Sequence, residues 1–236
     1  MARDNWTREQ LILAFNLYCK IPFGRIHHRN PQIIELAGMI GRTPSAVAWK
    51  LSNFASLDPS LKVRDIKGAS HGSKADEVIW DEFNNNWDKL AVESEALYAK
   101  LLGKQASEPD DYDDSFDQAQ GKEALRLSKV RVNQGFFRTA VLSAYNNQCA
   151  ITGIANVELL NASHIIPWRV DSTNRLNPRN GICLNALHDR AFDRGLITID
   201  DDYRVVVSDT ILNNESSYTE EYFSRYHLKE ITLPEK

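Results

Sequence analysis

The stretch from Leu159 to Asp193 constrains the fold more than any other part of the chain. It begins with an apolar run that carries Ser163-His164 and ends at Pro167. A polar loop then leads to Asn180-Gly181, a second apolar run, and a segment that opens with His188-Asp189. Two short apolar runs joined by a loop predict a β-hairpin, and the segment after them predicts a helix packed across it.

The polar side chains of this stretch suit the hydrolysis of a phosphodiester bond. That reaction needs a base to activate water and a cation to hold the oxygens on which charge accumulates. His164 is the candidate base, because a neutral imidazole accepts a proton near pH 7. Mg²⁺ or Mn²⁺ prefers carboxylate oxygen with some imidazole, which Asp189 and His188 can supply. Asp193, four residues after Asp189, falls on the same helix face.

Each candidate also has a purely structural interpretation. His164 can be a satisfied histidine of the core, and Asp189 can stabilise a helix start through the helix dipole, by about 0.3–1 kcal/mol. Asp193 can simply mark the end of the helix before Gly195. The spacing between His164, Asn180 and Asp189 favours the catalytic interpretation.

The same stretch resembles the HNH endonuclease superfamily, whose shared core is the ββα-metal fold. The resemblance implies that His164 is the general base and that Asn180 ties the hairpin loop and steadies that base. It implies that Asp189 is the metal ligand on the helix, with further ligands among His188 and Asp193. It also implies one divalent ion, Mg²⁺ or Mn²⁺, and products with a 5′-phosphate and a 3′-hydroxyl.

Two positions depart from the family pattern. Many HNH enzymes carry Asp or His just before the base as a second metal ligand, whereas this chain has Ser163. His188, Asp193 or water would then have to complete the coordination. The sequence from Cys149 to Thr152 is similar to the zinc-binding Cys-x-x-Cys of many HNH proteins, but Thr152 replaces the second cysteine. We therefore expect no structural zinc, with Cys149 as a small buried hydrophobe.

Length and composition leave room for one large or two small domains in 236 residues. No apolar run approaches the roughly 20 residues of a membrane span, and the first residues lack a signal-peptide core. We expect a cytoplasmic protein that does not contact a membrane. The three cysteines are odd in number and widely spaced, which argues against a disulfide framework.

The net charge of −4 is distributed unevenly. Residues 1–80 hold eleven Lys and Arg against seven Asp and Glu, and residues 126–198 hold nine against four. The balance is reversed in residues 81–125, with four against twelve, and in residues 199–236, with four against nine. Local fields rather than net charge steer a polyanion, so the two basic segments are the expected regions of DNA contact.

Residues 1–102 predict a helical domain with a helix-turn-helix-like unit. Thr7 with Gln10 predicts a capped first helix, while Asn30-Pro31 and Thr43-Pro44 predict two further helix starts separated by a turn at Gly41. The second helix of the pair is expected to present DNA contacts outward, at Arg42, Ser45 and Lys50, with Thr43 and Asn53 beside them. Helix pairs of this kind also occur in bundles that touch no DNA. The segment resembles the N-terminal region of some HNH proteins described as restriction endonucleases.

The remaining segments connect or extend these two regions. Lys62, Arg64, Lys67, His71 and Lys74 suggest a basic loop, or simply a solvated one. Val78 to Leu102 predicts one long helix that covers the first core or forms a dimer seam, and residues 103–124 predict a flexible acidic linker. The nuclease domain is expected over residues 125–236, with further strands near 195–208 and an acidic tail. Candidate phosphate contacts are Arg131, Arg138, Arg169, Arg175, Arg179, Arg190 and Arg194, although ordinary surface arginines are the alternative for Arg131 and Arg138.

The expected fold class is therefore α+β, with an N-terminal helical domain, an acidic linker and a C-terminal ββα-metal domain. The expected function is metal-dependent DNA cleavage, related to restriction or defence. The first alternative is a DNA-binding regulator that does not cleave, which Ser163 supports. The second is a nuclease that acts only when triggered, with the acidic tail as an inhibitory DNA mimic. A homodimer would let a chain with one active centre cut both strands.

Overall fold

The computed structural model of the chain describes residues 5–63, 72–103, 117–167, 170–171, 174–214 and 216–235. They divide into two compact units: unit 1 extends to Ala140, and unit 2 is Val141–Glu235. The nuclease domain was expected to begin at residue 125. Residues 125–140 belong instead to unit 1. Among the described residues, no helix has both the length and the apolar character that crossing a membrane requires.

Unit 1 is built from helices whose starts the sequence predicts. Helix α1 (Arg8–Lys20) begins at Thr7, and Thr7 and Gln10 form a capping box. Asn30 caps α2 (Pro31–Met39), and Thr43 caps α3 (Pro44–Leu57), each followed by proline at the first helical position. Gly41 has a φ of 67° in the turn between α2 and α3, a conformation that favours glycine. These three helix starts are confirmed.

The long helix expected over residues 78–102 is instead two helices. After α4 (Pro59–Val63), α5 (Lys74–Phe83) ends before Asn84, and α6 (Trp87–Leu101) begins after Asn86. Three consecutive asparagines are poor helix formers, because their side chains compete for backbone hydrogen bonds. The break leaves Phe83 and Trp87 both buried in the aromatic core around Phe15, whose ring centroid lies 5.0 Å from that of Phe54.

Only part of the predicted acidic linker lies among the described residues. Residues 104–116 lie outside the described residues, as do residues 64–71 of the predicted basic loop. Residues 117–124 are helical, since α7 spans Asp117–Ala144. The expectation of a flexible connector is therefore wrong for those eight positions.

Lys50 does not face solvent as predicted. Its ammonium lies 2.7 Å from a carboxylate oxygen of Asp76, and only 6% of the residue is exposed. Asn53 is also buried and donates a hydrogen bond to the other oxygen of Asp76 at 2.9 Å. Asp76 is fully buried, and a buried carboxylate needs such partners. Burial alone would raise the pKa of Asp76, but the hydrogen bonds from Lys50, the Ser73 backbone and Asn53 outweigh it and lower the pKa.

Unit 2 contains the predicted hairpin and helix. Strand β1 (Leu160–His164) pairs antiparallel with β2 (Gly181–Asn185), so that Leu160 lies opposite Asn185 and His164 opposite Gly181. Helix α8 (Ala186–Asp193) follows β2 directly and contacts both strands. A second antiparallel pair, β3 (Ile197–Ile199) and β4 (Val205–Val207), confirms the strands expected near residues 195–208. Cys149 is fully buried, as expected for a small hydrophobe.

The C-terminal residues form part of unit 2 rather than an acidic tail. They include α9 (Asp209–Leu212) and α10 (Ser217–Tyr222). Beyond α10, Lys229 accepts a backbone hydrogen bond from Val205. Thr232 and Glu235 donate backbone hydrogen bonds to Ala150 and Ala144. The residues beyond α10 are therefore packed as part of unit 2.

Breaking the buried ion pair of unit 1 tests how this unit is stabilised. We expect Lys50→Met to lower the free energy of unfolding by about 3–5 kcal/mol, because it leaves the Asp76 carboxylate buried without its cation. Urea denaturation at neutral pH measures the change. Lys62→Met, at an exposed lysine of α4, is the matched control and should leave the unfolding midpoint nearly unchanged. Equal midpoints for the two variants would contradict the role of the ion pair.

Candidate active site

Asp189 joins helix α8 to strand β1. It lies in the first turn of α8, and its Oδ2 accepts a hydrogen bond from the Asn161 amide at 2.7 Å. Its Oδ1 accepts a hydrogen bond from the Ser163 hydroxyl. Asn161 and Ser163 are two positions apart on β1 and therefore lie on one face of the strand. The carboxylate is thus fixed against the residue that precedes His164.

His164 is held at the end of β1 by a backbone carbonyl. Its Nε2 lies 2.9 Å from the carbonyl oxygen of Arg175. A carbonyl only accepts hydrogen bonds, so in the neutral ring the proton belongs on Nε2 and the lone pair on Nδ1. This tautomer follows from the hydrogen-bond partner. The half-buried ring is therefore oriented with its basic nitrogen fixed.

Asn180, the residue just before β2, closes the hairpin loop. Its side-chain oxygen accepts a hydrogen bond from the Ile166 backbone at 2.8 Å, and its amide donates to the Ile166 carbonyl at 3.1 Å. The Asn180 carbonyl also accepts from the backbone of Ile165 at 2.9 Å. These bonds tie the two residues that follow His164 to the start of β2.

The structure contradicts His188 as a metal ligand. The residue is 1% exposed, and both ring nitrogens are engaged. Nδ1 accepts a hydrogen bond from the Asn185 amide at 2.9 Å, and Nε2 donates to the Tyr222 carbonyl at 2.8 Å. Burial lowers the pKa of His188, and the hydrogen bond to Tyr222 offsets this only in part. His188 is therefore a neutral structural histidine, packed edge-on against Phe223 and Tyr226.

The predicted ligands Asp189, His188 and Asp193 do not form a three-ligand site. Asp193 is the last residue of α8 and is exposed. Within the described ranges, no three His, Cys, Asp or Glu side chains are grouped so that they could hold a metal ion. The polar groups gathered around Asp189 are instead neutral oxygen and nitrogen groups, on Asn161 and Ser163.

The candidate phosphate contacts fall into two groups. In unit 2, Arg179, Arg190 and Arg194 are exposed, and Arg175 is half-buried. Arg169 lies outside the described residues. In unit 1, Arg131 is exposed on α7 and Arg138 is half-buried.

The candidate DNA contacts of unit 1 also differ in how exposed they are. Ser45 is exposed in the first turn of α3. Arg42 is half-buried, and its guanidinium donates hydrogen bonds to the Gln10 side chain and the Asn5 carbonyl, both at 2.9 Å. Arg42 therefore holds the start of unit 1 together, while Ser45 remains on the surface.

Sequence reasoning missed two residues that shape the site. Asn161 binds Asp189, and its position two residues before Ser163 on a strand is the signal that could have identified it. Asn185 caps α8 by accepting from the His188 backbone at 3.0 Å, and its amide orients the His188 ring. A cap signal was present, because asparagine precedes the helix.

A two-stranded antiparallel hairpin, closed by a helix whose first turn carries a carboxylate, is the arrangement expected of a ββα-metal nuclease core. Residues 149–200 match the model of the HNH endonuclease family. The match covers under a quarter of the chain, yet it contains β1, β2, α8 and β3. No curated protein matches the chain. The matched region supports membership of its domain in the HNH superfamily and suggests nuclease activity.

Removing the Asn180 side chain tests how strongly it stabilises the hairpin loop. We expect Asn180→Ala to lower the free energy of unfolding by about 1–3 kcal/mol, because the Ile166 backbone loses both partners at a mostly buried position. Chemical denaturation provides the measurement. Asn213→Ala, at an exposed asparagine, should unfold like the unmodified protein. A loss of the same size in both variants would show that the loop does not depend on Asn180.

Proposed function

We propose that unit 2 is a metal-dependent endonuclease that hydrolyses phosphodiester bonds in DNA. One observation carries the proposal: the Asp189 carboxylate is hydrogen-bonded to Ser163, the residue next to His164. The proposed metal ligand is thereby held at the residue next to the proposed base, at the end of strand β1. The match of residues 149–200 to the HNH endonuclease family supports the same assignment.

His164 is proposed as the general base. The carbonyl of Arg175 holds the Nε2 proton, so Nδ1 is the nitrogen that takes a proton from water. Asn180 acts as a positioning residue, because it fixes the backbone that follows His164. With the imidazole oriented in advance, the ring needs no rearrangement when the substrate is bound.

The groups around Asp189 fit a hard cation. The Asp189 carboxylate and the Ser163 hydroxyl present oxygen atoms, which suit Mg²⁺ or Mn²⁺ better than zinc, whereas Asn161 directs its amide nitrogen at the carboxylate. Mg²⁺ commonly binds through one or two carboxylates and keeps several waters, so the absence of a group of three acidic or imidazole ligands among the described residues is compatible with it. When bound, the ion would stabilise the negative charge that develops on the phosphate oxygens.

Exposed arginines are proposed to hold the DNA backbone near this centre. Arg179, Arg190 and Arg194 lie on the hairpin and at α8, and a guanidinium can bind a phosphate through two hydrogen bonds. In unit 1, Arg131 and Arg138 of α7 are separate candidates for phosphate contacts. A role in restriction or defence is proposed from the resemblance of the N-terminal segment to restriction endonucleases.

Substitution of the base and of the metal ligand tests the reaction. We expect His164→Ala and Asp189→Ala to slow the conversion of supercoiled plasmid to nicked or linear DNA by about 100- to 10,000-fold in Mg²⁺ or Mn²⁺. Glu220→Ala, at an exposed carboxylate of α10, is the matched control and should cut at the normal rate. Equal cutting by His164→Ala and the unmodified protein would exclude His164 as the base.

Restoring the missing acidic ligand tests the metal assignment without relying on activity. We expect Ser163→Asp to bind Mn²⁺ at least about tenfold more tightly in calorimetric titration, because a second carboxylate then lies beside Asp189. Its melting temperature should also rise more on addition of Mn²⁺ than that of the unmodified protein. Thr198→Asp, at an exposed position of β3, controls for added charge. Unchanged Mn²⁺ affinity in Ser163→Asp would place the metal elsewhere.

A regulator that binds DNA without cutting it is the second candidate function. Ser163 at the position of a usual metal ligand, together with the structural role of His188, favours it. The plasmid assay separates the two candidates. A protein that shifts DNA in a gel but leaves it intact at every metal concentration would be a regulator with an inactive nuclease core.

A further inference from the structure

The Asn161 side chain contacts the proposed metal ligand directly. Its amide nitrogen lies 2.7 Å from Oδ2 of Asp189, and the residue is half-buried on β1, opposite Leu184. An ionised carboxylate only accepts hydrogen bonds, so the group that faces it must be the amide N–H rather than the amide oxygen. Asn161 is therefore a hydrogen-bond donor to Asp189 and presents its nitrogen, not an oxygen, at this position.

The two oxygens of Asp189 each have a donor of their own. Asn161 donates to Oδ2, and the Ser163 hydroxyl donates to Oδ1. The last torsion of an aspartate side chain has a broad energy minimum, so a carboxylate held through one oxygen can still rotate. A donor at each oxygen fixes the plane of the group. A carboxylate has about four lone-pair sites, so two hydrogen bonds leave the other sites for a cation.

Both of these donors are uncharged. Among the described residues, no lysine, arginine or histidine forms an ion pair with Asp189. A cationic partner would cancel the negative charge that attracts a divalent ion, whereas an amide orients the carboxylate and leaves that charge in place. An asparagine at residue 161 therefore suits a carboxylate that has to bind a cation.

Helix α8 has other attachments besides Asn161. Asn185 caps the start of the helix by accepting a hydrogen bond from the His188 backbone at 3.0 Å. The His188 ring donates to the Tyr222 carbonyl at 2.8 Å, which holds the buried side of the same turn. Because these contacts hold the helix, the hydrogen bond from Asn161 acts mainly on the direction of the carboxylate.

We propose that Asn161 is a positioning residue, which orients the Asp189 carboxylate toward the divalent ion. The inference rests on the proposed function, because it takes Asp189 as the metal ligand. Asn161 itself touches neither the metal nor the substrate and acts through Asp189. Residues that hold a metal ligand in place typically contribute about 10- to 100-fold to metal affinity.

Calorimetric titration with Mn²⁺ tests the proposal in the full chain. We expect Asn161→Leu, which keeps a similar volume but has no donor, to bind Mn²⁺ about 10- to 100-fold more weakly. Asn161→Val should show the same loss, and its β-branched side chain favours the strand conformation of β1. In both variants, the Mn²⁺ concentration that gives half-maximal plasmid cutting should rise by the same factor as the dissociation constant.

Asn133→Leu is the matched control. Asn133 is a buried asparagine of α7 in unit 1, and its amide also donates to a carboxylate, that of Asp88. Its substitution should lower the melting temperature and leave the Mn²⁺ affinity unchanged, which separates the positioning of a metal ligand from the general loss of a hydrogen bond. Mn²⁺ affinity within about twofold of the unmodified protein in Asn161→Val would overturn the proposal.

Asp189→Ala in the same titration distinguishes this inference from the proposed function. If Asp189→Ala loses Mn²⁺ binding while both Asn161 variants bind normally, Asp189 remains the ligand and only the role of Asn161 is overturned. If Asp189→Ala binds Mn²⁺ like the unmodified protein, the metal is held elsewhere and both proposals are overturned. Weaker binding in all three variants, with Asn133→Leu unchanged, supports both.

Discussion

The hydrogen bonds that Asp189 accepts from Asn161 and Ser163 are the interaction on which the candidate site depends. They attach the first turn of α8 to strand β1 of the hairpin. Ser163 and His164 are consecutive, so one peptide unit connects the position that holds the carboxylate to the imidazole. Without this link, helix α8 and the His164 imidazole would be positioned by separate parts of the unit.

Adjacent residues of helix α8 contact different parts of unit 2. His188 faces inward, where Asn185 and the Tyr222 carbonyl engage both ring nitrogens, and Asp189 faces β1. Successive side chains on a helix are separated by about 100° around its axis, so two polar neighbours need not share an environment. In the sequence, a histidine beside an aspartate resembles a pair of metal ligands. In the structure, His188 is hydrogen-bonded to Asn185 and Tyr222, whereas the Asp189 carboxylate is hydrogen-bonded to strand β1.

Features encoded by nearby residues could be predicted from the sequence. The capping box of Thr7 and Gln10, the proline starts of α2 and α3, and the hairpin followed by α8 all depend on residues close together in the chain. Buried polar pairs could not be predicted, because the two partners lie far apart in the sequence. Asp76 is 26 residues from Lys50, and Tyr222 is 34 residues from His188. Neither amphipathic spacing nor charge pattern identifies such a partner, so both side chains were assigned to the wrong surroundings.

The anchoring of α8 to the C-terminal segment bears on how the protein is made. Tyr222 supplies the acceptor for His188, and backbone bonds from Thr232 and Glu235 reach back to Ala150 and Ala144. During synthesis, unit 1 can fold while later residues are still inside the ribosome, because domains generally fold in order of emergence. Unit 2 cannot complete its packing until residue 235 has left the exit tunnel. A nascent chain would therefore complete the packing of unit 1 before that of unit 2.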